Sequence, residues 1–219
     1  MVSCLAMPMM LMAAPEVYTI EPAHTYPSFE TSHEGMSFWR GKFDKTSGKI
    51  WLDRAGKTGK VDIEVDATSI NFGMALMDKV AQGADFFQAD KYPTATYKSD
   101  SITWKGDKPV SVNGTLTIRG ISKPVPLQVT LFQCTQNPML KREVCGGDVH
   151  GEFDRREFGM TRGVVASDPN VRLAIQVEAI QGDTLPTMGP PPGANGGPPG
   201  GAPPGGVPPA GAGGPPPRQ

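Results

Sequence analysis

Catalytic and metal centres draw on a short list of side chains, and this sequence is poor in two of them, with three histidines and three cysteines in 219 residues. His24, His33 and His150 stand at separations too irregular for a local metal motif. An isolated histidine in a β protein is more often a hydrogen-bonded structural group than a ligand or a base. No G-x-S-x-G, H-E-x-x-H or phosphate-loop pattern occurs. Ser32 and Ser37, near His33, lack the strand-to-helix elbow that activates a nucleophile. These absences argue against a locally encoded active site, although a triad assembled from distant positions leaves no such trace. An excess of one charge is missing as well: 21 basic and 22 acidic residues leave a formal net charge of −1. With no basic stripe to neutralise phosphates, nucleic acid is not an expected partner. No apolar run reaches the roughly 18–20 residues of a membrane-spanning helix, so no helical span is expected.

Glycine and proline are abundant but unevenly placed. Residues 186–219 hold 13 of the 23 prolines and 11 of the 27 glycines, which leaves an ordinary share for residues 15–185. The tail has no apolar periodicity to offset its ordering entropy and reads as a disordered, partly polyproline-like extension. At the other end, residues 1–14 are apolar and close on Ala13-Ala14, like the hydrophobic region and cleavage site of a secretory leader. The basic start of such a leader is missing, since no Lys or Arg precedes Arg40, so the leader is read as truncated or mis-started. Lipidation of Cys4 is the weaker reading, because Met1-Val2-Ser3 leaves no room for the required apolar stretch. Export and an oxidising compartment are therefore expected. In that setting Cys134 and Cys145, on either side of a loop between two strand-like stretches, would pair as a structural disulfide. Their spacing fits neither a C-x-x-C redox motif nor a zinc cluster.

From Val17 to Ile180 the dominant period is two. Val61, Ile63 and Val65 alternate with Asp62, Glu64 and Asp66, and Val171, Leu173, Ile175 and Val177 alternate with polar or small residues. Such alternation marks antiparallel strands with one dry and one wet face, and it puts carboxylate pairs such as Asp62 and Glu64 on solvated surface. One stretch breaks the rhythm: Met74–Ala81 favours a short helix with Met74, Met77, Val80 and Ala81 on one side. About eight strands with one or two short helices make an all-β domain, either a sandwich or a barrel. An eight-stranded barrel has an interior wide enough for one small ligand. The aromatics Phe29, Phe38, Trp39, Phe43, Trp51, Phe86, Phe87, Phe153 and Phe158 either fill a core or line an apolar cavity. Arg155, Arg156 and Arg162, around Phe158-Gly159-Met160, are candidates for a cationic rim that meets an anionic or quinone-like head group, or for surface ion pairs.

Several ordered motifs carry a resemblance. Tyr18-Thr19-Ile20-Glu21-Pro22-Ala23-His24, Phe29-Glu30-Thr31-Ser32-His33 and Gly41-Lys42-Phe43 come first. Asp85-Phe86-Phe87, Tyr92-Pro93, the run Gly114 to Val125 and Arg155-Arg156-Glu157-Phe158-Gly159-Met160 follow in order. Together they resemble the YceI family from about Tyr18 to Ile180. The resemblance implies an eight-stranded antiparallel lipocalin-like barrel in the bacterial periplasm. It implies a pore that holds a long-chain isoprenoid, quinone or other amphiphilic lipid, with no cofactor, metal or catalytic residue, and a homodimer is compatible with it. The resemblance carries His33, Phe86, Phe87, Arg156, Phe158 and Gly159 over as pocket or pocket-shaping positions, and with Phe29, Phe38, Phe43 and Met160 they make the expected ligand-binding set. Met77-Asp78-Lys79-Val80 departs from the Arg-Asp pair and histidine that the family commonly carries there. Two other readings stand beside lipid carriage. One is an enzyme or redox accessory acting on a bound lipid or quinone, with His33 and Asp78 as its polar groups; the other is a solid-cored interaction module.

Overall fold

Eleven strand segments follow the period-two stretches of the sequence in a computed structural model that describes residues 14–164 and 168–186. They are β1 (Glu16–Ile20), β2 (Tyr26–His33), β3 (Ser37–Phe43), β4 (Thr46–Asp53), β5 (Thr58–Asp66), β6 (Ile70–Asn71), β7 (Thr94–Lys105), β8 (Lys108–Ile118), β9 (Ile121–Asn137), β10 (Arg142–Asp154) and β11 (Asn170–Gln181). The helix α1 spans Ala75–Gln82, one residue along from the stretch that its composition predicts. Cys4, the expected leader apart from Ala14 and the expected tail apart from Pro186 lie outside the described residues.

All pairings are antiparallel, and β1 closes on β11 (Tyr18 opposite Gln181, Ile20 opposite Ala179), so the sheet has become a barrel. The eleven segments make eight staves. β1 and β2 lie end to end along β11 and form the first stave, β4 and β3 continue one another as the second, and β5 and β6 form the third. The remaining five strands are one stave each, joined as a meander. Closure removes the open edges that a sandwich keeps and decides between the two architectures that composition left open.

The first three staves share an irregularity at one level. In β1 the inward residues are Tyr18 and Ile20, and in β2 they are Phe29, Thr31 and His33, so the inward parity changes across residues 21–25. It changes again between Phe43 and Thr46 and between Val65 and Ile70. Backbone bonds tie the kinks together: Asp44 N donates to Ser69 O at 3.1 Å, and Asp66 N to Lys45 O at 3.1 Å. Thr25, almost fully buried, both donates to Glu178 O (3.0 Å) and accepts from Glu178 N (3.1 Å). These bonds give backbone groups at the kinks partners within the barrel.

The meander places the hairpin at Glu34–Met36, α1 with its flanking segment, the turn at Arg119–Gly120 and the loop after β10 at one end of the barrel. The other end is solid. There Tyr18, Ile20, Leu52, Cys145 and Ala179 form a buried cluster, with Trp104, Phe132 and Cys134 packed against it. The Tyr18 hydroxyl lies 2.5 Å from Glu143 Oε2 and 2.7 Å from Glu16 Oε2, and Arg54 Nη2 donates to both carboxylates. Burial, together with these acceptors, pushes the Tyr18 phenol well above its ordinary range, so it stays protonated as a donor. Cys134 and Cys145 are bonded as a disulfide. They sit directly opposite one another in the β9–β10 ladder rather than flanking a loop, because both strands run well past them to the turn at residues 138–141.

Candidate ligand-binding cavity

Above that floor the inward faces of the staves do not meet. They enclose a cavity of about 450 Å³, within the range usual for small-molecule sites. Its lower wall is aliphatic, made by Ile20, Ile50, Val61, Ile63, Val112, Leu127, Val149 and Val177. The alternation read from β5 and β11 is what aims these side chains inward, while Asp62, Glu64, Arg172 and Gln176 take the opposite face. Gly114 keeps one part of the wall thin, since a Cβ there would come within 2.5 Å of the Tyr97 ring. That ring lies in the space so left, and its hydroxyl reaches the Val125 carbonyl at 2.9 Å and the Val112 carbonyl at 3.1 Å. The hydroxyl is therefore satisfied by backbone, and desolvation raises its pKa.

Towards the open end the wall becomes aromatic and then polar. Phe29 packs edge-on against Phe72 (centroids 5.5 Å) and tilted against Phe43 (5.8 Å), and Phe87 meets Phe43 at 5.4 Å. Met77, Val80 and Ala81 bring one side of α1 over the opening, and Asp78 fastens the helix by accepting a hydrogen bond from Phe72 N at 2.7 Å. Asp78 is not part of the wall, so the structure does not bring it together with His33 there. His33 does line the cavity, with its ring edge-on to Trp39 at 5.3 Å. The rim also carries Glu34, Arg155 and Arg162, the last paired with Asp85.

Of the ten ligand-binding residues expected from sequence, six lie on the cavity wall: Phe29, His33, Phe43, Phe86, Phe87 and Met160. Four do not. Phe38 is a correction: it falls on the outer face of β3, 41% exposed, where Arg172 stacks on its ring at 4.8 Å. Its neighbour Trp39 takes the inward position, because the parity of β3 follows that of Gly41 and Phe43. Arg156 is also a correction, being directed outward and bound through Nε to Asp154 Oδ2 at 2.9 Å. That hydrogen bond holds the Asp154 carboxyl below the usual range. Phe158 is fully buried behind the wall, edge-on to Phe153 at 5.1 Å, and shapes the cavity without facing it. Gly159 likewise stays off the wall; it caps the 3-10 turn Arg155–Phe158 in the left-handed region (φ +74°), and its carbonyl accepts from Arg119 Nη1 at 2.8 Å. The wall also contains residues outside that set of ten: Phe72, which follows a two-residue strand and gave no periodic signal, and Arg155 and Arg162, two of the three arginines read from sequence as a cationic rim.

One wall residue has an unusual polar state. Thr46 is buried, and its hydroxyl finds no hydrogen-bond partner among the described residues. Among the described residues one group of His, Cys, Asp or Glu side chains is close enough to share an ion, namely Cys134, Glu143 and Cys145 in the floor. Both sulfurs there are committed to the disulfide, so neither supplies the thiolate a metal needs. No described helix is long and apolar enough to cross a membrane.

Comparison with known proteins gives the same fold. The sequence profile of the YceI-like domain matches residues 18–179. A UPF0312 protein of Shewanella denitrificans is 31% identical over 183 residues, which span 81% of this chain and 93% of the relative. The YceI protein of Campylobacter jejuni, known by crystal structure, superposes with a TM-score of 0.60 at 26% identity over 69% of this chain and 90% of its own. A polyisoprenoid binding domain from Saccharophagus degradans shares the fold at 16% identity, with a TM-score of 0.54 over 75% of this chain and 98% of its own.

Proposed function

Because the chain belongs to the YceI-like family, we propose that it binds and shields the apolar tail of a long-chain isoprenoid, quinone or similar amphiphile inside the barrel, with no covalent step. The observation that carries this reading is the cavity itself, about 450 Å³ walled by aliphatic and aromatic side chains and solid at one end. At roughly 30 Å³ for each water-sized group, that space accommodates about 15 carbons, or three isoprene units; a longer tail extends through the open end. Burying each CH₂ is worth about 0.8 kcal/mol, so a tail of that length has ample driving force to leave water even after the costs of immobilising it. The name of the Saccharophagus domain agrees with a polyisoprenoid as the ligand. The unfilled interior supports this reading over the solid-cored alternative, and Asp78, the second polar group of the enzyme reading, accepts a hydrogen bond from a backbone amide.

The same reading places the protein in the periplasm. Its support is the leader-like start of the sequence and a disulfide of the kind that persists in oxidising compartments. The test is mass spectrometry of an organic extract of the full chain purified without detergent. An amphiphile near one per protein is expected from the wild type and none from Phe86→Asp, which puts a charge on the wall, with circular dichroism to check that the variant folds. Wild-type protein that carries no amphiphile and takes up no added farnesol would sink the proposal.

A further inference from the structure

Closure removes the edges of the sheet as a whole, but not those of a strand that outruns its neighbour. β9 is the longest strand, and β8 follows it no further than Gln128, which stands opposite Ser111. Thr130 is bulged out of register with β10, and past it the β9–β10 ladder continues to Asn137. Along the nine residues from Val129 to Asn137 no strand pairs with the other edge of β9 among the described residues, and none of the nine is buried. Three observations fix which backbone groups face that edge. Asn137 O accepts from Lys141 N at 2.8 Å within the hairpin, so Asn137 is turned toward β10. Glu143 N, opposite Gln136, donates to Gln181 Oε1 at 3.3 Å rather than to β9. The Cα atoms of Cys134 and Cys145 are 4.0 Å apart, the close approach of facing residues that exchange no backbone bonds. Backbone direction alternates along a strand. Gln133, Thr135 and Asn137 therefore bond to β10, while Phe132, Cys134 and Gln136 direct their N–H and C=O groups outward.

Such an edge is a template for another strand, and proteins commonly blunt it with charge or proline. Neither stands on this length: no charged residue lies between Lys123 and Lys141, and Pro124, Pro126 and Pro138 fall outside it. The side-chain amide of Gln133 meets the Cys134 carbonyl at 3.1 Å, which occupies one outward group. We propose that this edge joins two copies of the chain, β9 running antiparallel to β9 about a two-fold axis at Cys134. In that register Cys134 faces Cys134 of the second copy and each Phe132 faces a Gln136, so all the outward groups pair in about six backbone bonds. An uncharged edge meets its own copy without like-charge repulsion. A foreign peptide is the poorer fit, because peptide-binding edges take specificity from side-chain pockets, and Gln133 and Thr135 present a flat polar face. Phe132 and Cys134 pack against the floor, so the joint leaves both cavity mouths free. The pairing stands independently of what the cavity holds.

Sedimentation velocity of the full chain over a concentration series tests it. A joint of two edge strands belongs to the small class of interfaces, so the wild type should pass from monomer to dimer in the micromolar range. The axis at Cys134 sets Gln133 of one copy opposite Thr135 of the other, and both side chains are exposed. Gln133→Lys with Thr135→Lys therefore places two like-charge pairs across the joint and should weaken the dimer roughly tenfold. Gln133→Lys with Thr135→Glu sets opposite charges face to face and should dimerise at least as tightly as the wild type at low salt. A dimer indifferent to the two lysines lies elsewhere on the surface and overturns the proposal. A lysine–glutamate variant as weak as the double lysine overturns the register. Hydrogen exchange needs no variant: the Phe132, Cys134 and Gln136 amides should exchange quickly in the dilute chain and slowly in the dimer, with Gln133 and Thr135 protected in both. Unchanged exchange at the first three refutes the pairing. A wild type that stays monomeric up to about 1 mM overturns the proposal and leaves the edge to a foreign strand.

Discussion

Reducing the Cys134–Cys145 disulfide should weaken the fold without emptying the cavity. The two residues are 11 apart in sequence. Loop-closure entropy for a ring of that size predicts a loss of about 2.8 kcal/mol on reduction. For a domain of this length, a loss of that size lowers the melting temperature by roughly 6–11 °C. The bond lies in the floor, where Cys145 packs with Tyr18, Ile20, Leu52 and Ala179, and the mouth residues Phe86 and Arg155 belong to the opposite end. Affinity for farnesol should therefore change by less than about threefold, equivalent to roughly 0.7 kcal/mol at RT ≈ 0.59 kcal/mol. The measurement is urea denaturation of the full chain with and without reductant, followed by tryptophan fluorescence, with the slope checked for constancy so that the midpoint reports stability. A loss under about 1 kcal/mol would refute the entropic reasoning, because it would mean that the β9–β10 hairpin persists in the denatured chain and already holds the cysteines together. A large fall in farnesol uptake would refute the separation of floor from mouth.

Thr46→Val removes a buried hydroxyl that has no partner among the described residues and keeps the side-chain shape. It should stabilise the protein by about 1 kcal/mol in the same denaturation assay, and a destabilisation of that size would show that the hydroxyl is bonded in solution. His24 is paired with Glu21, whose hydrogen bond raises the imidazole pKa above its ordinary value near 6.5. With the folded pKa raised, the contribution to stability is fully present below about pH 6.5 and is lost as pH climbs through the folded value, and for so exposed a pair it stays below about 1 kcal/mol. Proton NMR of the His24 ring should return a titration midpoint above the ordinary value in the wild type and a lower one in Glu21→Gln; identical midpoints would dismiss the pair.

The strands, the helix and the dry faces of β5 and β11 were legible because each is a local pattern, a period of two or a helix-favouring run. The resemblance added closure, which alternation alone cannot distinguish from a sandwich. Strand residues of the site were legible where parity was uninterrupted, and Phe86, Phe87 and Met160, outside the strands, through the motifs of the resemblance. Phe38 and Trp39 are adjacent aromatics, and no composition argument says which one faces in; the hairpin register of β2 and β3, with Thr31 opposite Trp39, decides it. Arg155 and Arg156 pose the same question at the end of β10. Asp154 accepts from Arg156 N at 2.8 Å to start the 3-10 turn, and the same carboxylate then holds the Arg156 side chain outside, leaving the inward place to Arg155. Phe72 depends on the third kink, a tertiary feature with no local sequence signal.

The kinks shared by the first three staves also bear on how such a barrel tolerates change. In an unbroken strand, inserting one residue exchanges inside for outside along everything that follows, so a single indel ruins a whole face. Here the inversions already occur at one level, at residues 21–25, 44–45 and 66–69, where Asp44, Lys45, Asp66 and Ser69 bond among themselves. In these three staves the part beside the opening is therefore offset in phase from the part that forms the floor. Substitution and length variation on the mouth side can accumulate under selection for a different guest, while the aliphatic lower wall and the bridged floor keep their own frame.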